Sequence, residues 1–479
     1  MVAASTSLVP AALRAGLSEA LSRAAARAVD RGRPVLVSVG VALDARDPLD
    51  LFDRAASLVG DRFFWERPAD GVALAGAGAA WTIETASASE AWRAWRSLLA
   101  DAVVDDADAG GSTEVPRGPL LLGGFAFDPC RPATGTWADY PAGRLTLSRL
   151  TLVTHGDTST LTANAVLAPG ADVEAALTRA LDLVEDALAE GVAGPEVVDR
   201  GQHPAFEDAL PREEWESIVE SGARACRDGR LDKVVLARAA RARGGVGAAP
   251  SAVAALRRLR DAYPSAYIFA VARGESCFLG ATPERLARLR DGVADVACLA
   301  GSTPRGVGPE EDRRLGDELL HSVKNRAEHA IVVEAVRAAL QEVCTDVHIP
   351  AEPRLLRLHN VQHLYTPATG RVAPGASALD LVARLHPTPA VGGWPRADAL
   401  AYIRAHERLD RGWYAAPVGW LDRDGAGEFA VALRSGLLRG DEATLFAGCG
   451  IVGDSRPADE YAETVLKLRP MRSALGLEE

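Results

Sequence analysis

The stretch Leu231–Arg238, LDKVVLAR, places a lysine at the start of an apolar run. Lysine is rare in this chain, because only three of its 53 lysines and arginines are lysines, namely Lys233, Lys324 and Lys467. Arginine stays protonated in proteins, whereas a lysine that is shielded from water can lose its proton and act as a base. The lysine at position 233 therefore suggests a role that a guanidinium group cannot fill.

The run that follows Lys233, VVLA, predicts a short buried strand. The residues alone leave two interpretations of a lysine on such a strand. In the first, the stem packs along the apolar surface and the ammonium group reaches water. In the second, the amine lies in a cleft, where burial favours its uncharged form.

Composition argues against several classes of partner. The 479 residues can bury a large core and suggest two or three domains, or one large α/β unit. A net charge of −12 disfavours nucleic acid and anionic membranes, so an anionic substrate would need a local cationic pocket or a metal ion. The six cysteines form no CxxC pair, and no apolar run approaches the ~18 residues of a membrane span. We therefore expect a cytoplasmic protein with no nucleic-acid or membrane partner.

The first 205 residues contain few motifs. Apolar runs there predict strands at Pro34–Val41, Gly71–Ala75, Leu120–Asp128 and Leu145–Val153, and amphipathic patterns predict helices at Ala88–Val104 and Val173–Ala189. The Ala- and Arg-rich N-terminus lacks a continuous apolar segment and carries Glu19, so we interpret it as a surface helix rather than a targeting peptide. The acidic, glycine-rich stretch Asp105–Pro119 predicts an exposed connector.

The remainder of the chain carries denser signals. A helix is predicted at Arg212–Asp228, and one long helix at Arg313–Gln341. The predicted strands are Tyr267–Ala272, Ser276–Leu279, Gly412–Leu421, Glu428–Leu438 and Thr444–Val452, followed by a terminal helix at Pro457–Leu475. Strands in adjacent hairpins with helices between the groups predict an α+β sandwich rather than regular βαβ winding.

Acidic residues on the two C-terminal helices suggest a cation site. Glu460 and Glu463 lie three residues apart on one helical face, and Lys467 lies four residues beyond Glu463. Glu463 and Lys467 could form only a surface ion pair, worth about 0.3–0.5 kcal/mol, and spacing alone favours that reading. The alternative is that Glu328 and Glu463 each supply a carboxylate to Mg²⁺, with waters and a substrate oxygen as the other ligands.

Other polar residues lie where a strand or a glycine-rich stretch could present them. Glu284, in GATPERL, follows a predicted strand and could point into a cleft, or it could be a carboxylate at a helix N-terminus. Glycine-rich Leu299–Gly306 and Ala447–Ser455 offer backbone N–H groups to an anion, although neither matches a P-loop or a GxGxxG motif. His363 and His386 are isolated and are interpreted as structural.

Taken together, these motifs resemble the chorismate-utilising enzymes, a family that includes isochorismate, salicylate, anthranilate and aminodeoxychorismate synthases. The resemblance runs over roughly residues 206–475 and rests on nine signals in the family's order, namely KVVLAR, GATPERL, LAGSTPRG, KNRAEH, VQHL, LHPTPAVGGWP, ALRSG, AGCGIV and EYAETVLK. GGFAFD in the first half also resembles the isochorismate-forming branch. The resemblance implies a large layered α/β sandwich with central, mostly antiparallel sheets. An N-terminal α/β part, residues 1–205, would pack onto the chorismate-binding region 206–475.

The resemblance also implies roles for individual residues. Glu328 and Glu463 would bind Mg²⁺, with Glu460 nearby or bridging through water. Arg434 and Tyr414 would bind the enolpyruvyl carboxylate of chorismate. The other residues that would line the substrate are Gly301, Ser302, Ala390, Gly448, Cys449, Gly450 and Lys467. Local cations of this kind would offset the negative charge of the protein when it binds a dianion.

Three positions favour the isochorismate-forming branch. The anthranilate enzymes typically have Gln where this chain has Lys233, because ammonia needs no base and water does, so Lys233 would be the general base and Glu284 the general acid. Ala300 stands where the aminodeoxychorismate branch has a nucleophilic lysine, and Ala390 stands where enzymes that eliminate pyruvate have Thr. The resemblance therefore implies Mg²⁺-dependent addition of water at C2 of chorismate with loss of the C4 hydroxyl, without a glutaminase subunit.

Two alternatives to this function remain at the level of sequence. A salicylate synthase would form isochorismate and then expel pyruvate. A non-catalytic chorismate-binding subunit is disfavoured because Lys233, Glu284, Glu328 and Glu463 are all retained. For an active enzyme we expect burial to raise the pKa of Glu284. A monomer or a homodimer, serving menaquinone, siderophore or salicylate synthesis, is compatible with the sequence.

Overall fold

Strands from both halves of the chain form the framework of the fold, and helices pack around them. A computed structural model describes residues 8–106, 115–131, 135–189, 206–243, 250–357 and 361–477. The strands in these residues are β1 Val35–Asp44, β2 Asp61–Arg67, β3 Val72–Glu84, β4 Val103–Asp105, β5 Leu121–Phe125, β6 Gly143–His155, β7 Thr158–Leu167, β8 Phe206–Asp208, β9 Lys233–Arg243, β10 Tyr267–Arg273, β11 Ser276–Thr282, β12 Arg285–Arg290, β13 Val293–Pro304, β14 Cys344–His348, β15 Arg354–Arg357, β16 Val361–Val372, β17 Gly393–Trp394, β18 Pro417–Leu421, β19 Gly427–Val431, β20 Ser435–Arg439 and β21 Glu442–Ile451.

The helices in the same residues are mostly short and amphipathic. They are α1 Ala11–Arg31, α2 Pro48–Arg54, α3 Ala88–Leu99, α4 Val173–Leu188, α5 Arg212–Arg227, α6 Ala252–Ala262, α7 Pro309–His321, α8 Val323–Gln341, α9 Ala378–Leu385, α10 Arg396–His406 and α11 Pro457–Ala474. Single 3₁₀ turns lie at Ala55–Ser57, Pro68–Asp70 and Gly135–Trp137. Among the helices of the described residues, none is both long enough and apolar enough to cross a lipid bilayer.

Antiparallel pairing connects the strands into two branches. Strand β6 pairs with β3 along its length, with β5 near its start and with β7 near its end. From β3 the pairing continues through β2, β10, β11, β20 and β21 to β9. From β5 it continues through β18, β19, β12 and β13 to β16. Of the described pairs only β1 and β4 run parallel, so the predicted α+β fold with mostly antiparallel sheets is confirmed.

Aromatic side chains from both halves of the chain share one buried cluster. The Trp137 ring lies 5.5 Å from Tyr140, 5.2 Å from Phe278 and 5.4 Å from Phe446. The Tyr140 hydroxyl donates to the carbonyl of Val271 at 2.8 Å and accepts from the Phe278 amide at 3.0 Å. Burial of each large aromatic side chain contributes about 1.5–3 kcal/mol. The first half of the chain is therefore part of the same core as the second, and the boundary near residue 205 stays a prediction.

Most of the predicted elements are present with shifted ends. The N-terminal surface helix is α1, the hairpin is β10 with β11, and the terminal helix is α11. The helix predicted at Ala88–Val104 ends at Leu99, and β4 follows it. The strand predicted at Gly412–Leu421 begins only at Pro417. Most of the predicted connector Asp105–Pro119 lies outside the described residues.

Two predicted elements are wrong because each is interrupted. The helix predicted at Arg313–Gln341 is divided at Ser322, whose backbone is extended and whose side chain accepts a hydrogen bond from the Asn325 amide at 3.3 Å. Serine at such a position caps the helix that follows. The strand predicted at Glu428–Leu438 is divided near Arg434, which has a φ of 49°. Left-handed backbone is uncommon for a residue other than glycine and ends regular strand geometry.

Candidate active site

One cavity, with a volume of about 220 Å³, is lined by nearly all the residues that the sequence predicts as site residues. The predicted residues that line it are Lys233, Glu284, Gly301, Ser302, Glu328, Ala390, Tyr414, Arg434, Gly448, Gly450, Glu463 and Lys467. Cys449, predicted with them, is buried in β21 and is not among the lining residues. Lys324 is also in the lining, so all three lysines of the chain face this cavity.

Lys233 lies on the inner wall of the cavity, where its side chain is only 3% exposed. Its Nζ atom donates to Oε1 of Glu328 at 2.5 Å. Val235, which faces the same side of β9 as Lys233, pairs with Gly450 of β21. A Cβ atom at Gly450 would lie 2.6 Å from Cε of Lys233, so glycine leaves the space that the lysine occupies. The amine therefore lies in a cleft, and the interpretation in which it reaches bulk water is wrong.

Glu284 lies between β11 and β12, where the chain passes from the branch that contains β9 to the other branch, and it is 7% exposed. No helix begins there, so the alternative of a helix N-terminal carboxylate is wrong. Burial raises the pKa of Glu284 to about 7, although the positive charges of Lys233, Arg434 and Lys467 act in the opposite direction. The predicted direction is thus confirmed, and a carboxyl group with this pKa can donate a proton at neutral pH.

Arg434 presents a cation to the cavity from the break between β19 and β20. Its left-handed backbone is held by a hydrogen bond from the Ala281 amide to its carbonyl, at 3.2 Å. Within the described residues its guanidinium group has no hydrogen-bonding partner, which leaves its donors available to an anion. Tyr414 is buried beside it, and its ring stacks on Phe446 at 5.3 Å. Burial raises the pKa of Tyr414, so its hydroxyl stays protonated and can donate a hydrogen bond.

Three carboxylates face the cavity from two helices, Glu328 on α8 and Glu460 and Glu463 on α11. Glu463 is ion-paired with Lys467, whose Nζ atom also donates to the carbonyl of Gly448 at 3.0 Å. Burial tends to raise the pKa of Glu463, but the charge and hydrogen bond of Lys467, together with the charges of Arg434 and Lys233, lower it overall. The pKa of Glu460 is raised by burial and also by the charge of Glu463. The ion pair suggested by the spacing is therefore present, and it faces the cavity.

The same carboxylates could hold a magnesium ion. The described residues contain no group of three or more His, Cys, Asp or Glu side chains arranged as a metal site. Mg²⁺ is commonly held by only one or two carboxylates, with waters and substrate oxygens completing its ligands. Burial is the main cause of the raised pKa of Glu460, and the charge of Glu463 adds to it, so a divalent cation would offset repulsion between these two carboxylates. The donor set fits the predicted ion, with Glu328 and Glu463 as the candidate ligands.

Sequence reasoning missed several residues of the cavity. His363 was interpreted as structural, but it lines the cavity, and its Nδ1 atom lies 2.8 Å from the Ser302 hydroxyl across β13 and β16. Burial lowers its pKa to about 3, helped by the charges of Arg434 and Lys467, so its ring is neutral. Lys324 lies at the outer side and pairs with Asp454 at 3.1 Å. The rarity of lysine could have identified Lys324, and the VQHL motif contains His363, although the motif alone does not show that the ring faces the cavity.

Comparisons with known proteins relate nearly the whole chain to one enzyme family. Residues 20–476 match the family described as chorismate binding enzymes. The chain is 42% identical to the salicylate biosynthesis isochorismate synthase of Pseudomonas aeruginosa, over 97% of this chain and 94% of that protein. It is 38% identical to the isochorismate synthase MenF of Bacillus subtilis, over 94% of this chain and 95% of that protein.

A solved structure extends the agreement to the fold. The structure is described as MenF, the menaquinone-specific isochorismate synthase from Escherichia coli, and it matches with a TM-score of 0.76 at 26% identity. The match covers 96% of this chain and all of that one. The family match over residues 20–476 includes both halves of the chain, whereas the motifs of the sequence lie mainly after residue 206. The chain therefore belongs to the chorismate binding enzyme family.

Proposed function

We propose that this protein is an isochorismate synthase, which converts chorismate to isochorismate. The observation that carries the proposal is a buried lysine, Lys233, in the same cavity as Glu284, a buried carboxyl group with a pKa of about 7. Such a pair can supply a base and an acid to one reaction. The names of the relatives from Pseudomonas aeruginosa and Bacillus subtilis support the same reaction.

Chorismate is a dianion, and different residues of the cavity would hold its two carboxylates. Arg434 and Tyr414 would bind the enolpyruvyl carboxylate, since both line the cavity with hydrogen-bond donors. Glu328 and Glu463 would hold Mg²⁺, whose positive charge would bind the ring carboxylate. Because the Lys233 ammonium group also contacts Glu328, it would compete with the ion for that carboxylate. Lys467 would add a further positive charge beside the backbone of Gly448. These cations would offset the net charge of −12 at the point where the substrate binds.

In the proposed reaction, Lys233 removes a proton from a water molecule that attacks C2 of the ring. The ring double bonds shift, and the C4 hydroxyl leaves with a proton from Glu284. The substrate gains and loses one water in the same turnover, so the reaction is an isomerisation. Water is the nucleophile, and no glutaminase subunit is needed to supply ammonia. Ala390 lines the cavity without a hydroxyl group, which favours retention of the enolpyruvyl group over release of pyruvate.

The test is to incubate the purified protein with chorismate and Mg²⁺ and to identify the products by chromatography. We expect isochorismate without pyruvate. Salicylate with an equal amount of pyruvate would instead support a salicylate synthase and would contradict the interpretation of Ala390. Absence of turnover, with chorismate still bound, would support a non-catalytic binding subunit.

The proposed metal site has a separate test that needs no turnover. Calorimetric titration of the substrate-free protein with Mg²⁺ should give a dissociation constant that rises about tenfold or more in Glu328→Gln and in Glu463→Gln. A matched control is Glu334→Gln, because Glu334 also lies on α8 but its side chain is 73% exposed and forms an ion pair with Arg337. Unchanged Mg²⁺ affinity in the first two variants would show that these carboxylates do not bind the ion.

A further inference from the structure

A buried guanidinium group joins three segments beside the cavity. Arg411 lies after α10, and its side chain is 3% exposed, while that of its ion-pair partner Glu407 is 2% exposed. Its Nε and Nη2 atoms donate to the two oxygens of Glu407, both at 2.7 Å. Nη1 donates to the carbonyl of Val391 at 2.9 Å, and Nη2 also donates to the carbonyl of Val235 at 2.8 Å. One planar group thus connects the end of α10, the loop before β17 and strand β9.

Two of these segments carry residues of the proposed reaction. Val235 lies two residues after Lys233 on β9, and Val391 directly follows Ala390. Both valines line the cavity, as Arg411 itself does. Arg411 therefore lies between the strand that carries the proposed base and the loop that carries Ala390.

Neighbouring contacts fix the position of the guanidinium group itself. It packs 4.1 Å from the centre of the Phe127 ring, and the Phe127 carbonyl lies 3.1 Å from Nε2 of His386. Glu407 also accepts a hydrogen bond from the Ala237 amide of β9, at 2.7 Å. The ion pair is thus attached to β9 through both partners, and the first half of the chain supports it from the other side.

The chemistry of this ion pair indicates a geometric role rather than a stabilising one. The cost of removing two charges from water largely cancels their attraction. Replacing a buried ion pair with well-packed apolar side chains therefore often leaves the stability of a protein unchanged or raises it. A guanidinium group, however, presents its donors in a rigid plane and can bind several acceptors at fixed angles. Lysine would neutralise Glu407, but it would not reproduce both carbonyl contacts in that plane.

We propose that Arg411 is a positioning residue that holds the Ala390 loop at a fixed distance from the Lys233 strand. This inference rests on the proposed isochorismate synthase activity. Arg411 acts through Val235 and Val391, whose carbonyls it binds, and the substrate carboxylates are held by other cations. Displacement of reacting groups by about 1 Å can reduce a rate about 100-fold. Loss of the guanidinium group should therefore slow the chemical step much more than it weakens substrate binding.

The experiment compares Arg411→Lys and Arg411→Gln with the wild-type protein in steady-state isochorismate formation. We expect kcat to fall about tenfold or more in both variants, while KM for chorismate changes less than about threefold. The matched control is Arg404→Lys, because Arg404 belongs to α10 and pairs with Asp128, but its side chain is 43% exposed and outside the cavity. Thermal unfolding of each variant shows whether it is folded at the assay temperature.

The outcomes separate this inference from the proposed function. Wild-type kinetics in folded Arg411→Lys would overturn the positioning role alone. An increase in KM with an unchanged kcat would also overturn it, because it would indicate a direct contact with the substrate. Failure of both Arg411 variants to fold, while Arg404→Lys folds, would show a purely structural ion pair. Absence of isochorismate with the wild-type protein would contradict the proposed function itself.

Discussion

The inner wall and the outer side of the cavity use the same types of residue in different surroundings. On the inner wall, Lys233 is 3% exposed and contacts Glu328 at 2.5 Å. On the outer side, Lys324 pairs with Asp454 at 3.1 Å, but the two side chains are 51% and 69% exposed. Water and salt screen exposed charges, so a pair of the second kind contributes about 0–1 kcal/mol. We therefore expect activity to depend on the type of basic group at the inner wall, but only on the presence of a positive charge at the outer side.

The largest effect is expected for replacement of Lys233 by arginine. Lys233→Arg keeps the positive charge but cannot lose its proton at neutral pH, so kcat for isochorismate should fall at least about 1,000-fold. Lys233→Ala should be equally inactive. Product chromatography measures the loss, and thermal unfolding shows whether each variant is folded. Isochorismate formation by a folded Lys233→Ala protein would remove the proposed base from the reaction.

The next largest effect is expected for Glu284→Gln. Glutamine keeps the shape of the side chain but has no acidic proton, so the C4 hydroxyl would leave unassisted and kcat should fall about 100- to 1,000-fold. The control is again Glu334→Gln, which replaces an exposed carboxylate of α8 and should retain activity. If Glu284→Gln keeps more than a tenth of the wild-type kcat, Glu284 is not the acid.

The same variant should change how stability depends on pH. The pKa of Glu284 is raised from an ordinary value of 4.5 to about 7, so the folded protein binds more protons than the unfolded chain between these pH values. Its contribution is fully favourable below about pH 4.5 and is lost as the pH rises through about 7. The free energy of unfolding of Glu284→Gln, relative to wild type, should therefore increase from pH 5 to pH 8 by up to about 3 kcal/mol. Denaturant unfolding at several pH values measures this difference, and parallel curves would show that Glu284 ionises normally.

The smallest effect is expected on the outer side of the cavity. Lys324→Arg preserves the charge that faces Asp454, and the exposed pair tolerates the altered geometry, so kcat should stay within about threefold of wild type. This variant is the direct counterpart of Lys233→Arg, since both replace a lysine of the same cavity. If Lys324→Arg loses as much activity as Lys233→Arg, the exposure of a lysine in this cavity does not predict how strongly activity depends on it.

The two predicted elements that the structure interrupts lie close to the cavity. The long predicted helix is divided at Ser322, next to the segment that carries Lys324, and the long predicted strand is divided near Arg434. Local pattern favours continuing a regular element through both places. Each interruption places a cation in the lining of the cavity. Functional sites are where local preference and the required geometry most often disagree.

The sequence by itself determined the family, the α+β class and most strands and helices, and twelve of the thirteen site residues that it predicted line the cavity. Motif order and hydrophobic periodicity are local properties that can be read along the chain. Only the tertiary structure decided that Lys233 contacts Glu328, 95 residues away, that Ser302 contacts His363, and that Arg411 joins β9 to the Ala390 loop. Burial decides the raised pKa of Glu284 in the same way. Desolvation and charge–charge attraction are sums over neighbours in space, and a linear sequence does not specify those neighbours.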